Sequence, residues 1–271
     1  MQDIIKNYED NGFVIIKNLF TKEDVNRFAK IARSYDSKTT TNENITYFSA
    51  LIRLLDPRHY KQHSKWLSPN YIKDSIFLIN RKNTDPFKSI LKQFGFTGLN
   101  AINRIDSYIS YKSDEDITEW HSDQAFGGAT HPAEFFGGTS GTMSVTNLNK
   151  VFVHITKVNY QNGCFSYLPK SQKINLAVRS LINEGLIKYK PILLLEDMIR
   201  LVENEYSDAL KTKCSEDEIN FFLRNGKEAL SSDKNFVLEC EPGDAVIFND
   251  LGFHKGTAPA KSDRIIFRYW C

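Results

Sequence analysis

His121 and Asp123 stand two residues apart in the stretch EWHSDQAF, residues 119–126. In an extended chain residues i and i+2 share a face, so this imidazole and carboxylate can meet at one point in space. That is two-thirds of a three-ligand metal site. It is also what a polar strand end with one histidine looks like, and the motif alone favours that plainer reading. A metal site needs a further ligand from a distant part of the chain. Of the six histidines, at 59, 63, 121, 131, 154 and 254, His254 is placed for the role. It follows the apolar run DAVIF and precedes RIIFRYW, two segments of strand character, and strand ends on one rim of a β-barrel can bring ligands together.

Two imidazoles and one carboxylate, with open positions opposite, form the facial triad of non-haem iron(II) oxygenases. Neutral imidazoles suit a borderline divalent ion, and a single carboxylate offsets part of its charge. Three positions then remain for a chelating cosubstrate and dioxygen. A structural zinc site would instead use four closed ligands, usually with thiolates. Cys164, Cys214, Cys240 and Cys271 form no CxxC pair and are expected to be free thiols.

Arg264 lies ten residues after His254. If the cosubstrate is a dicarboxylate chelating the metal at one end, a guanidinium can grip its far end with two parallel hydrogen bonds. Arg268 shares the strand face of Arg264 and is the alternative, and a surface charge is the plain reading of either. Asn103 and Tyr108, on the strand before the HxD motif, are candidates for the chelating end. Gln124 and Phe126 are candidate substrate or lid contacts, since residues 125–142 carry five glycines and three phenylalanines. His131 reads as a loop residue, His59 and His63 as surface. His154, facing the same way as Phe152 and Thr156, reads as a satisfied wall histidine.

The elements that must hold these residues follow from pattern. FVIIKNLF reads as a strand. Thr21 and Asp24 frame a near capping box for a helix running to about Tyr35. DSKTTTNENIT reads as loop, and residues 49–95 as helical pieces broken at Pro57, Pro69 and Pro86. From Asn103 onward RIDSYISY, TMSVTNL, VFVHITKVNY, CFSYLP, NFVLECE, DAVIFND and RIIFRYW are short β-branched or aromatic runs between turn residues. They point to an antiparallel sandwich or barrel. Residues 174–230 read as a helical insertion. The expected chain is mainly β: an N-terminal helical layer over residues 1–100 on a jelly-roll built from 101–173 and 231–271, in one domain.

Composition bounds the function. The chain has 271 residues, 41% apolar and 25% charged, with a formal net charge of +2. Nothing concentrates the basic face that nucleic-acid binding needs, and no apolar run is long enough to span a membrane. The N-terminus lacks the basic start and apolar stretch of a signal peptide, so a soluble cytoplasmic protein is expected. The pattern does not encode an oligomeric state.

Four blocks, in order, resemble the phytanoyl-CoA dioxygenase-like (PhyH) family of iron(II)/2-oxoglutarate-dependent oxygenases. YEDNGFVIIKNLFTKEDVNRF resembles its opening, WHSDQ its metal-binding motif, VFVHITKVNYQNGCFSYLPKSQK its central strand and turn, and EPGDAVIFNDLGFHKGTAPAKSDR its distal-histidine and arginine ending. The resemblance implies a double-stranded β-helix of cupin-like type, with iron(II) held by His121, Asp123 and His254. It implies Arg264 on the distal carboxylate of 2-oxoglutarate, with Thr257 assisting, and O2 as co-reactant. Lys170 and Gln172 stand where the family has Gly and His. With Asp123 present, hydroxylation of a small, polar molecule is expected rather than halogenation, releasing succinate and CO2. Desaturation, cyclisation and epimerisation share that chemistry, and a metal-binding module without catalysis is the rival from another class.

Overall fold

The computed structural model describes residues 2–36, 42–48, 69–96, 104–122, 149–188 and 194–270. The first helix, α1 (Gln2–Asn11), leads into β1 (Phe13–Ile16). Helix α2 (Lys22–Ser34) begins at the expected capping box: the Thr21 hydroxyl accepts from the Asp24 amide, and the Asp24 carboxylate accepts from the Thr21 amide. Its buried residues, Val25, Phe28, Ile31 and Ala32, recur at helical spacing and form one face. Helix α3 (Pro69–Lys82) begins at Pro69, and α4 (Phe87–Gln93) directly follows Pro86. Both prolines open helices, because a first-turn residue needs no amide donor. Pro57 lies outside the described residues.

The expected loop before residue 49 is in part a strand. Strand β2 (Asn42–Phe48) pairs antiparallel with β3 (Arg104–Ser110), from Asn42↔Ser110 to Phe48↔Arg104. Its sequence, NENITYF, starts too polar to announce a strand; the ladder with β3 supplies what local preference does not. The other strands are β4 (Asn149–His154), β5 (Phe165–Tyr167), β6 (Val237–Leu238), β7 (Ala245–Asn249), β8 (His254–Gly256) and β9 (Arg264–Trp270). Six form an antiparallel sheet in the order β1-β7-β4-β9-β3-β2, and three form a second in the order β6-β5-β8. NFVLECE thus contributes only two strand residues, while β8 arises in a stretch that the sequence left as a connection. TMSVTNL lies outside the described residues.

The stretch expected to be a helical insertion carries four helices among its described residues, the first beginning slightly earlier than expected: α5 (Ser171–Asn183), α6 (Leu195–Asn204), α7 (Ser207–Leu210) and α8 (Glu216–Ser231). A second capping box, Ser215 with Glu218, starts α8.

Three buried clusters join these layers. One face of the large sheet (Ile105, Val151, Val153, Ile247, Ile265, Phe267) packs on Phe28 and Ile31 of α2, Leu78 of α3 and Phe87 of α4. A second cluster fills the helical insertion and takes in Trp120, Leu168 and Phe253. The third lies between the sheets: Phe165, Tyr167 and Leu238 meet Val246 and Phe248. Alternation along each strand explains this division, because β7 sends Ile247 outward to the helices and Val246 and Phe248 inward. No described helix is long and apolar enough to cross a membrane.

Candidate metal and cosubstrate site

The segment Trp120–Ser122 runs beside β8 as an irregular extended stretch, not as the end of a regular strand. His121 and His254 exchange both backbone hydrogen bonds, at 2.9 and 2.8 Å. Directly opposed residues of an antiparallel pair project to the same side, and the two imidazole centroids are 4.5 Å apart. A chain separation of 133 positions is thereby closed by one backbone bridge.

The flanking residues explain why the histidine faces the inter-sheet space. Trp120 and Ser122 point the opposite way, into the insertion. The Trp120 indole donates to the Ala229 carbonyl of α8 at 3.1 Å. The Ser122 hydroxyl reaches the carbonyls of Asp250 and Leu251 and accepts from the Asn175 amide of α5 at 3.1 Å. The insertion is therefore the bed on which the His121 segment lies.

Each ring has its tautomer set. His121 Nδ1 is 2.7 Å from the Glu119 carbonyl, and His254 Nδ1 is 2.9 Å from the Gly252 carbonyl. A carbonyl only accepts, so Nδ1 carries the proton in each ring, and Nε2 is the nitrogen that each neutral imidazole would offer a metal. This is the usual preparation of metal-binding histidines. Phe165 and Phe248 pack on the His254 ring, each with its centroid 5.3 Å away. The third expected ligand, Asp123, lies outside the described residues, as do Asn103, Gln124, Phe126 and residues 125–142. Among the described residues no group of three metal-binding side chains forms.

Arg264 starts β9 and is buried, 5% exposed. Its Nη1 donates to the Gly163 carbonyl at 3.2 Å, while Nε has no hydrogen-bond partner among the described residues. No carboxylate among the described residues pairs with it. Burial, the largest cause, lowers its pKa from 12.5 to about 10; Cys164 and Tyr108 push the other way. Space for the guanidinium comes from two glycines. A Cβ on Gly163, whose φ is +64°, would sit 3.1 Å from Arg264 Cδ. One on Gly256 would sit 3.6 Å from Nη1. Gly256 is two residues beyond His254 on β8, so the guanidinium lies against the strand that carries the distal histidine.

Arg268, the alternative clamp, is already committed. Its Nε and Nη2 both donate to Asp106 Oδ2, at 3.0 and 2.6 Å, and its guanidinium lies 4.8 Å from the Tyr108 ring centroid. Tyr108 therefore borders both arginines. Thr257 follows Gly256, and in this ligand-free arrangement its hydroxyl faces the Cys164 carbonyl at 3.1 Å and the Cys164 thiol at 3.3 Å.

His154 departs from expectation. It is completely buried, and neither ring nitrogen has a hydrogen-bond partner among the described residues. Burial first, then the Arg264 charge, lowers its pKa from 6.5 to about 3, so the ring is neutral. Sequence reasoning had it as a satisfied wall residue, and no sequence signal separates the two states. Cys164 and Cys240 are buried free thiols, and Cys214 is a half-buried one, as expected.

These side chains fit an iron ion and a dicarboxylate: two imidazoles with Nε2 as the unprotonated nitrogen, and a buried guanidinium with an orphan N–H beside them. A family model, Phytanoyl-CoA dioxygenase (PhyH), matches residues 8–265. The chain belongs to the phytanoyl-CoA dioxygenase family. It is accordingly an iron- and 2-oxoglutarate-dependent oxygenase. No protein of curated function matches it in sequence.

Several solved structures share the family fold at low identity. The epimerase SnoN, in complex with Fe3+, alpha ketoglutarate and nogalamycin RO, is similar with a TM-score of 0.53 at 10% identity, over 99% of this chain and 82% of its own. The carbocyclase SnoK from nogalamycin biosynthesis has a TM-score of 0.53 at 12% identity, over 100% and 83%. HygX from Streptomyces hygroscopicus, with nickel, 2-oxoglutarate and hygromycin B bound, has a TM-score of 0.52 at 12% identity, over 100% and 86%.

Proposed function

We propose that this oxygenase oxidises a small, polar molecule at a C–H bond, hydroxylation being the primary outcome, in a jelly-roll whose two sheets enclose the site. His121 and His254 hold iron through Nε2, with Asp123 as the carboxylate ligand. Arg264 takes the distal carboxylate of 2-oxoglutarate, and Tyr108 and Asn103 border the cosubstrate. Gln124 and Phe126 serve as substrate or lid contacts. Bound there, iron with 2-oxoglutarate and O2 supplies the oxidising power, with release of succinate and CO2.

The rest is done by the chain. The backbone bridge between His121 and His254 fixes the spacing of the two imidazoles, and the Glu119 and Gly252 carbonyls fix their protons. Phe165 and Phe248 keep water from one side of His254, which suits reactive chemistry. The observation that carries the reading is Arg264. A buried cation with an orphan N–H costs stability, and a dicarboxylate cosubstrate relieves that cost.

Epimerisation or ring closure is the second reading, favoured by the likeness in fold to an epimerase and a carbocyclase. HygX, with hygromycin B bound, lends support to a polar small-molecule substrate. The test is anaerobic addition of Fe(II) and 2-oxoglutarate to metal-free protein. A weak visible band is expected on chelation, absent in His121→Ala, followed in air by succinate formation. Folded protein that gives neither band nor succinate refutes the reading.

A further inference from the structure

Arg264 alone leaves the cosubstrate's distal carboxylate short of donors. A carboxylate offers about four lone-pair positions, and the free edge of one guanidinium fills two. The Thr257 hydroxyl is engaged with the carbonyl and thiol of Cys164, so a further donor would complete the set. A buried donor on this face, among the described residues, is His154. It pairs with Ile266 across β4 and β9, two residues from Arg264 on the same face of β9, a diagonal that places the two side chains within reach of a common ligand. The ring is completely buried, and neither nitrogen has a hydrogen-bond partner among the described residues. Such a group costs stability unless something at the site completes it.

We propose that His154 is a cosubstrate-binding residue: its neutral imidazole donates one hydrogen bond to the 2-oxoglutarate carboxylate that Arg264 grips. The assignment rests on the 2-oxoglutarate reading above and deepens it. Neutrality suits the role. A second cation beside Arg264 would repel it in the ligand-free state, whereas a neutral N–H strengthens the grip only once the carboxylate arrives. Histidine also adds selectivity, because a 2-oxo acid without the distal carboxylate leaves both His154 and Arg264 unsatisfied in a buried pocket.

The experiment measures binding, not turnover. Manganese(II)-loaded protein is titrated calorimetrically with 2-oxoglutarate and with 2-oxopentanoate, which keeps the chelating end and lacks the distal carboxylate. His154→Phe should weaken 2-oxoglutarate roughly tenfold to hundredfold, the range for a hydrogen bond to a charged group, and leave 2-oxopentanoate unchanged. His154→Gln, which retains an N–H donor, should recover most of the affinity; it also serves as the test if the phenylalanine variant does not fold. Equal weakening of both ligands, or no weakening of 2-oxoglutarate, overturns the proposal while leaving the oxygenase reading intact. Wild-type protein that binds neither ligand overturns both.

Discussion

Replacing Arg264 by methionine should make the ligand-free protein more stable and the cosubstrate-saturated protein less so. Methionine keeps the linear stem and removes the charge. Burial lowers the Arg264 pKa from 12.5 to about 10, and at 1.36 kcal/mol per unit this is a penalty of about 3 kcal/mol on the charged native state. The sign is that of a base whose native value lies below its unfolded one: the charge is disfavoured on folding at every pH below about 10, so a measurement at pH 7.5 sees the whole penalty. Against it stands the single Nη1 bond to the Gly163 carbonyl, about 1 to 2 kcal/mol. The net gain of about 1 to 2 kcal/mol corresponds to a rise in Tm of about 2–6 °C for a chain of this size. Saturation reverses the order. At a hundred times Kd, 2-oxoglutarate adds about 2.7 kcal/mol to the wild type, or roughly 5–10 °C. The variant, missing two charge-assisted hydrogen bonds, binds at least a hundredfold more weakly and gains almost nothing. Differential scanning calorimetry of manganese-loaded wild type and variant, each with and without 2-oxoglutarate, gives the four values. A variant that melts several degrees below ligand-free wild type, or that still shifts with 2-oxoglutarate, refutes the argument.

Two further predictions follow from the same neighbourhood. Asn175 is fully buried; its amide donates to the Leu251 carbonyl at 2.7 Å and to Ser122, and its carbonyl accepts from Arg179 Nε at 3.2 Å. Asn175→Ala should cost about 2–4 kcal/mol in urea denaturation and weaken metal binding about tenfold or more, because the segment carrying His121 loses its support. An unchanged metal affinity would show that the insertion merely covers the site. His154 bears on acid stability. Its native pKa of about 3 lies below the ordinary 6.5, so as pH falls below 6.5 the unfolded chain takes up a proton that the native state refuses. Between pH 7.5 and 5 the wild type should lose about 2 kcal/mol on this account. The loss should be absent from the curve of His154→Phe itself, and parallel curves for the two proteins would disprove it.

The parts of the fold legible in the sequence were those whose local pattern and final environment agree. DAVIFND and RIIFRYW alternate as β7 and β9 do, and Thr21 with Asp24 announces the start of α2. The parts that were not legible depend on partners distant in the chain. The residues of β2 become strand because β3 pairs with them, and the three residues of β8 because β5 does. Composition cannot report either event. The site divides the same way. Residue type and spacing led to His121, His254 and Arg264, and the structure brings the two histidines together with Arg264 beside them. The state of each partner was invisible: that the Thr257 hydroxyl is engaged with Cys164, that Arg268 is held by Asp106, and that the His154 ring has no hydrogen-bond partner among the described residues.

That last contrast decides which arginine can serve a ligand. Arg264 and Arg268 share a strand, a face and a side-chain type, and the sequence alone leaves both open for the clamp. Asp106, itself wholly buried, takes two hydrogen bonds from Arg268. To bind a new carboxylate there, the protein would have to break that pair and strand Asp106 in a dry interior, at a cost of about 3–5 kcal/mol. Arg264 has no such pair to break. Its one bond is to a backbone carbonyl, and its orphan N–H gains from any acceptor that enters. Within this sheet, a cation already neutralised works as structure, and a cation left uncompensated works as a site. The ligand-free protein carries the cost of that choice in stability, which is the quantity the Arg264→Met comparison reads.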